Sequence, residues 1–146
     1  MAVSSYGRAP RARIDPILSA TDAMAVFALQ MSRPRRHETL VMFLDGDRHG
    51  STLVTVSDTS DPFCVVDIAE AMALGAIENP DIDALVIASI RPTGGMRASD
   101  NDLWLEAADV VEVCGLVLID WLIVGPASVH SPREQLGMPS RWGRET

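Results

Sequence analysis

Between Glu38 and Asp45 the chain alternates two sets of side chains, Glu38, Leu40, Met42 and Leu44 against Thr39, Val41, Phe43 and Asp45. That is the period of two a strand imposes. Gly46-Asp47 supplies a turn and residues 50–56 resume an extended pattern, so the stretch predicts a hairpin. Helical spacing flanks it on both sides. Upstream, Met24, Phe27 and Met31 share one side of a helix that Thr21 would cap and that ends before Pro34. Downstream, Asp61-Pro62 offers an N-cap with proline at the first helical position, and Phe63, Val66, Ala69, Glu70, Ala73 and Ile77 recur at helical spacing up to Asn79-Pro80. Residues 85–90 are apolar on both faces, as a central strand covered on two sides should be. Leu103, Ala107, Val110, Val111 and Cys114 predict a third helix stopped by Gly115, and residues 116–124 a last core strand. This alternation predicts a three-layer α/β domain whose central mixed sheet is flanked by the three helices.

With 146 residues and 47% hydrophobic content the chain fits a single core. The expected division is a flexible N-terminal arm over residues 1–14, a domain over residues 15–137 and a C-terminal tail over residues 138–146. The arm is basic (Arg8, Arg11, Arg13) but no apolar run follows it, so it does not read as a signal peptide. The longest apolar stretch, residues 115–127, is cut by Asp120 and falls short of the roughly 20 residues a membrane span needs. A soluble, cytoplasmic protein with no membrane partner is the expectation. A net charge of −8 opposes attraction to phosphate backbones, so nucleic acid is not an expected partner. Arg33, Arg35, Arg36 and His37 form a local basic loop, which reads as solvated surface before it reads as a docking site for an acidic partner. Cys64 and Cys114 form no CxxC pair and read as core thiols.

Residues 83–102 carry the candidate chemistry. An apolar run breaks at Pro92-Thr93-Gly94-Gly95 and restarts with Ser99 and Asp102 ahead of the third helix, giving strand, loop and helix. Ser99 and Asp102 are spaced like a capping box, a structural explanation that needs no metal. The same stretch resembles the signature of the RadC-like branch of the JAB/MPN metallopeptidase-type domains, His-x-His-Pro-Ser-Gly followed by Ser-x-x-Asp. Pro92, Gly94, Ser99 and Asp102 match, and Thr93 replaces serine. Upstream, Glu38 resembles the family's strand-borne glutamate. Downstream, residues 118–125 are similar to the family's Leu-Asp-His-Leu-Ile-Ile-Gly strand, and residues 128–137 to its final Ser-Phe-Arg-Glu-x-Gly segment.

The resemblance implies a JAB/MPN, cytidine-deaminase-like fold. It also implies where a zinc site would be: the ligand positions are Ser89, Arg91 and Asp102, with Glu38 acting on the metal-bound water. Here Ser89 and Arg91 stand in place of the two imidazoles, and Trp121 in place of a third histidine. A catalytic zinc needs about three protein ligands, and a guanidinium repels the ion. His37, His49 and His130 show no ligand spacing that would rebuild the site. The expectation is therefore a degenerate site at Glu38, Ser99 and Asp102, without metal or other cofactor, in a catalytically inactive domain that binds a protein partner or a second copy. Alternatives are a zinc-dependent peptidase or isopeptidase with an atypical site, and an accessory factor in DNA repair. If Glu38 and Asp102 converge as in the family, Arg91 is the natural replacement for the ion, bridging Asp102 and Glu38; the competing expectation is that Arg91 turns to solvent.

Overall fold

In a computed structural model of the chain, which describes residues 9–142, five strands form one mixed sheet in the order β2-β1-β3-β4-β5. In chain order the elements are α1 (Ala20–Gln30), β1 (Glu38–Asp45), β2 (Gly50–Ser57), α2 (Cys64–Ala76), β3 (Ile82–Ile90), α3 (Asp100–Val113), β4 (Val117–Val124), β5 (Val129–His130) and α4 (Pro132–Gln135). The expected hairpin is β1–β2, antiparallel, and β1 also runs antiparallel to β3. β3 and β4 are parallel, as a strand, helix, strand connection through α3 requires. The sheet is mixed and helices cover both of its faces, as the alternation predicts.

Strand periodicity divides the core in two. On one face Leu40, Met42, Leu44, Val86, Ala88 and Ile90 pack with Ala23, Met24 and Phe27 of α1. On the other, Val41, Phe43, Leu85 and Ile87 pack with Val65, Ile68 and Ala69 of α2 and with Leu103, Trp104 and Ala107 of α3. Gly115 ends α3 with φ +82°, a conformation only glycine adopts without strain. Leu85 faces Leu118 but Val86 faces Asp120, so β4 carries an extra residue at Ile119, a bulge that turns Asp120 inward.

Helix starts differ from the sequence expectation in detail. The residue capping α1 is Ser19, whose hydroxyl accepts from Asp22 N, because the helix begins one residue before Thr21. Asp61 Oδ1 accepts from Phe63 N, but this makes a turn ahead of α2, which begins at Cys64. Ser99 precedes α3 in a helical conformation with no side-chain cap bond, so the capping box of Ser99 and Asp102 does not form.

Both ends of the domain are more engaged than the sequence indicated. Residues 1–8 of the expected arm lie outside the described residues; at its other end Arg13 N donates to Gly50 O and Pro16 bridges His49. At the C-terminus, packing continues past Gly137. Trp142 is 5% exposed, sits in the α1-side core and donates from its indole to Asp120 Oδ2 at 3.0 Å.

Asp120 gathers this end of the chain. Its Oδ1 accepts from Ser131 Oγ at 2.6 Å and from Trp121 N, while its Oδ2 accepts from Arg133 Nη2 at 3.2 Å and from Trp142. A buried carboxylate is tolerable only when so satisfied. Trp142→Ala removes a core indole and one of these donors, and should cost about 3–5 kcal/mol in urea unfolding. A loss within about 0.5 kcal/mol, the range of surface substitutions, would show that residue 142 is outside the core.

Candidate functional site

The site implied by the resemblance lies where β3 ends and runs into the loop preceding α3. Strand alternation puts Ser89 on the face of Leu85 and Ile87, the side covered by α2 and α3. Just past β3, Arg91 N donates to Val124 O at 2.8 Å, tying the loop to the end of β4. Gly94 rests against Gly125 so closely that a Cβ on Gly125 would stand 2.7 Å from Gly94 O. The Pro92–Gly95 loop is therefore seated on the exit of β4 by backbone contact.

The Arg91 guanidinium is 4% exposed and does not turn to solvent. Its partner is Asp100, in a two-pronged pair of Nη1 to Oδ2 at 2.7 Å and Nη2 to Oδ1 at 2.9 Å. Nη1 also donates to Gly95 O, and Asp100 Oδ2 also accepts from Arg97 N. A planar fork matched to a carboxylate is what guanidinium geometry favours. The bridge from Arg91 to Asp102 and Glu38 is accordingly replaced by one to Asp100. Asp102 is exposed on α3, because on that helix the inward residues are Asp100, Leu103, Trp104 and Ala107.

Glu38 is buried but faces the other side of the sheet. It lies opposite Ile90 in register and shares its strand face with Leu40 and Met42, the α1 side. Its carboxylate accepts from Ser32 N and Ser32 Oγ, both at 2.8 Å, which fastens the chain leaving α1 to the start of β1. The β1 residue opposite Ser89 is Thr39, whose hydroxyl bonds that of Thr59. Glu38, Ser99 and Asp102 thus do not converge.

The positions that do converge are those where the family pattern has histidines. Trp121 Nε1 donates to Ser89 Oγ at 2.8 Å, and the Arg91 guanidinium lies over the Trp121 ring, 5.7 Å from its centroid. Ser89, Arg91, Trp121 and Asp100 form one buried cluster, whose charged groups satisfy each other and whose indole covers the cation. Zinc does not fit this donor set. A hydroxyl already engaged by an indole, a cation and an exposed carboxylate provide neither the ligands nor the charge that zinc requires.

Two further groups bear on chemistry. Cys64, half-buried at the start of α2, has its thiol pKa pushed up by burial and by the nearby Asp61, with Arg91 opposing only weakly. At the β1–β2 turn His49 comes together with Asp45 and Asp47, a meeting the sequence spacing did not suggest. Asp45 Oδ1 there accepts from Asp47 N and His49 N, so the carboxylate closes the turn.

No protein-family model matches the chain, and no curated protein matches it.

Two outcomes follow from this geometry. Asp100→Ala should cost about 3–5 kcal/mol by leaving a buried guanidinium unpaired, whereas Asp102→Ala should stay within about 0.5 kcal/mol. Chemical denaturation of both variants checks this, and a larger loss at Asp102 would contradict it. Because its pKa is raised, Cys64 holds less thiolate at pH 8 than an unperturbed cysteine, and should alkylate more slowly there. Timed iodoacetamide labelling resolved by peptide mass checks the rate against free cysteine.

Proposed function

We propose that this chain is a catalytically inactive, metal-free RadC-like JAB/MPN-type domain that serves as a protein-binding or scaffold module. The observation that carries the reading is the buried cluster of Ser89, Trp121, Arg91 and Asp100. Each residue at a former imidazole position is engaged with another member of the cluster. An enzyme of the JAMM type needs the reverse arrangement, with ligands held open toward an ion that lowers the pKa of bound water to about 7. Here the positive charge at that place is a guanidinium, which carries no exchangeable water and has no acceptor.

The residues that keep the family pattern support an architectural role. Asp120 accepts from both Ser131 and Arg133, which closes the outer edge of β4. Gly94 and Gly125 seat the loop. Such a domain keeps its shape and surfaces while the reaction centre is filled by protein, and a shape retained without the reaction centre is suited to binding.

Elemental analysis of the purified protein, together with an isopeptide cleavage assay in added zinc, tests this reading. The expected result is zinc far below one equivalent per chain and no cleavage with or without added metal. One tightly held zinc per chain, or metal-dependent cleavage abolished by Asp102→Ala, would overturn it.

A further inference from the structure

We propose that β2 is the contact through which two copies of this chain associate, pairing antiparallel so that the two five-stranded sheets run on as one. The inference rests on the sheet edges and is independent of the inactive-site reading.

The two edges of the sheet are built differently. On the β4 side, β5 is two residues long and pairs only with Ile123 and Val124. Below it, side chains occupy the outward backbone of β4: Arg141 Nη1 donates to Leu118 O, and Asp120 Oδ1 accepts from Trp121 N. The C-terminal segment through Trp142 thus guards that edge. At the other edge, Arg13 N meets Gly50 O and Pro16 bridges His49, covering only the start of β2. Among the described residues no strand lies outside Thr52 to Ser57.

The sequence of β2, Gly-Ser-Thr-Leu-Val-Thr-Val-Ser, holds no charge and no proline. Natural edges are usually protected by lysine, proline, shortness or cover, and past its covered start this eight-residue, β-branched, uncharged edge has none of these. The sheet faces beside it are also incompletely covered. On the α1 side a groove of about 280 Å³ lies between the segment of Pro10 to Ala12 and the apolar side chains of Val26, Leu29 and Leu53, and Leu29 is 70% exposed. On the α2 side Val54 and Val56 are only partly buried.

A second copy fits these features by symmetry. A two-fold axis normal to the sheet keeps each face on its own side, so opposite residues must have the same strand parity. With the axis at Thr55, Val54 of one copy faces Val56 of the other, twice, and the two Thr55 side chains face each other. β-branched and threonine pairs of this kind are stabilising across antiparallel strands. The same axis places Thr52 opposite Asp58, bringing exposed Asp58 of one copy toward the segment that holds exposed Arg13 beside Gly50 in the other.

The test is sedimentation velocity over a dilution series, for the full chain and for a Thr52→Lys/Thr55→Lys double variant. Both threonines are exposed, so lysines there put charge on the edge without touching the core. The expected result is a dimer for the natural chain and a monomer with unchanged far-UV circular dichroism for the variant. Hydrogen exchange on the natural chain gives a second reading, with amides of β2 gaining protection as concentration rises and those of α3 not. If the lysine variant unfolds, the β2 exchange decides alone. A monomeric natural chain throughout the series, a dimer untouched by the folded lysine variant, or β2 exchange independent of concentration would each overturn the proposal.

Discussion

The buried ion pair of Arg91 and Asp100 is the constraint to which the end of β3, the loop after it and the start of α3 conform. Neither side chain reaches water to any useful extent, with Asp100 at 0% and Arg91 at 4% exposure. A desolvated charge left without a partner costs several kcal/mol, so every donor and acceptor must be placed. The backbone complies: Gly95 turns its carbonyl to the guanidinium and Arg97 turns its N–H to the carboxylate. Such a pair adds little net stability compared with apolar residues of equal volume. What it contributes is a single loop geometry, because other arrangements would leave a charge unsatisfied.

The same pair explains why the reaction centre suggested by the sequence pattern is filled by protein. Once Arg91 is buried at the end of β3, a carboxylate must accompany it, and Asp100 is the residue of α3 whose side chain meets it. Trp121 then covers the cation and spends its indole N–H on Ser89. Asp120, by contrast, accepts from Ser131 and from Arg133 at the far side of β4. These bonds tie α4 and the residue before it to the sheet.

Much of this was legible in the sequence, and the gaps have physical reasons. The period of two marked β1 and β2, and the apolar runs marked β3 and β4, because burial on one or two faces dictates those patterns. Periodicity shows which residues share a face but not which layer that face meets. Glu38 could therefore be read as facing the loop, when its strand face belongs to α1. The choice of Asp100 over Asp102 depends on where the first turn of α3 begins, and the sequence spacing favoured Ser99 as its cap. β5 and α4 span two and four residues, too few to show a period. Trp142 stands alone in a polar segment, and only the bulge that turns Asp120 inward gives its indole a partner.

A double-mutant cycle between positions 91 and 100 tests most directly whether this pair holds the filled site. Arg91→Ala, Asp100→Ala and the double variant are unfolded in urea under one set of conditions. Groups in direct contact show coupling of about 0.5–3 kcal/mol, and a buried bidentate pair should fall in the upper half of that range. The account predicts a double variant more stable than the sum of the single losses requires, because removing both charges strands neither. Losses that add within about 0.3 kcal/mol would mean that Arg91 and Asp100 do not meet, and the reading of the site would fall with them.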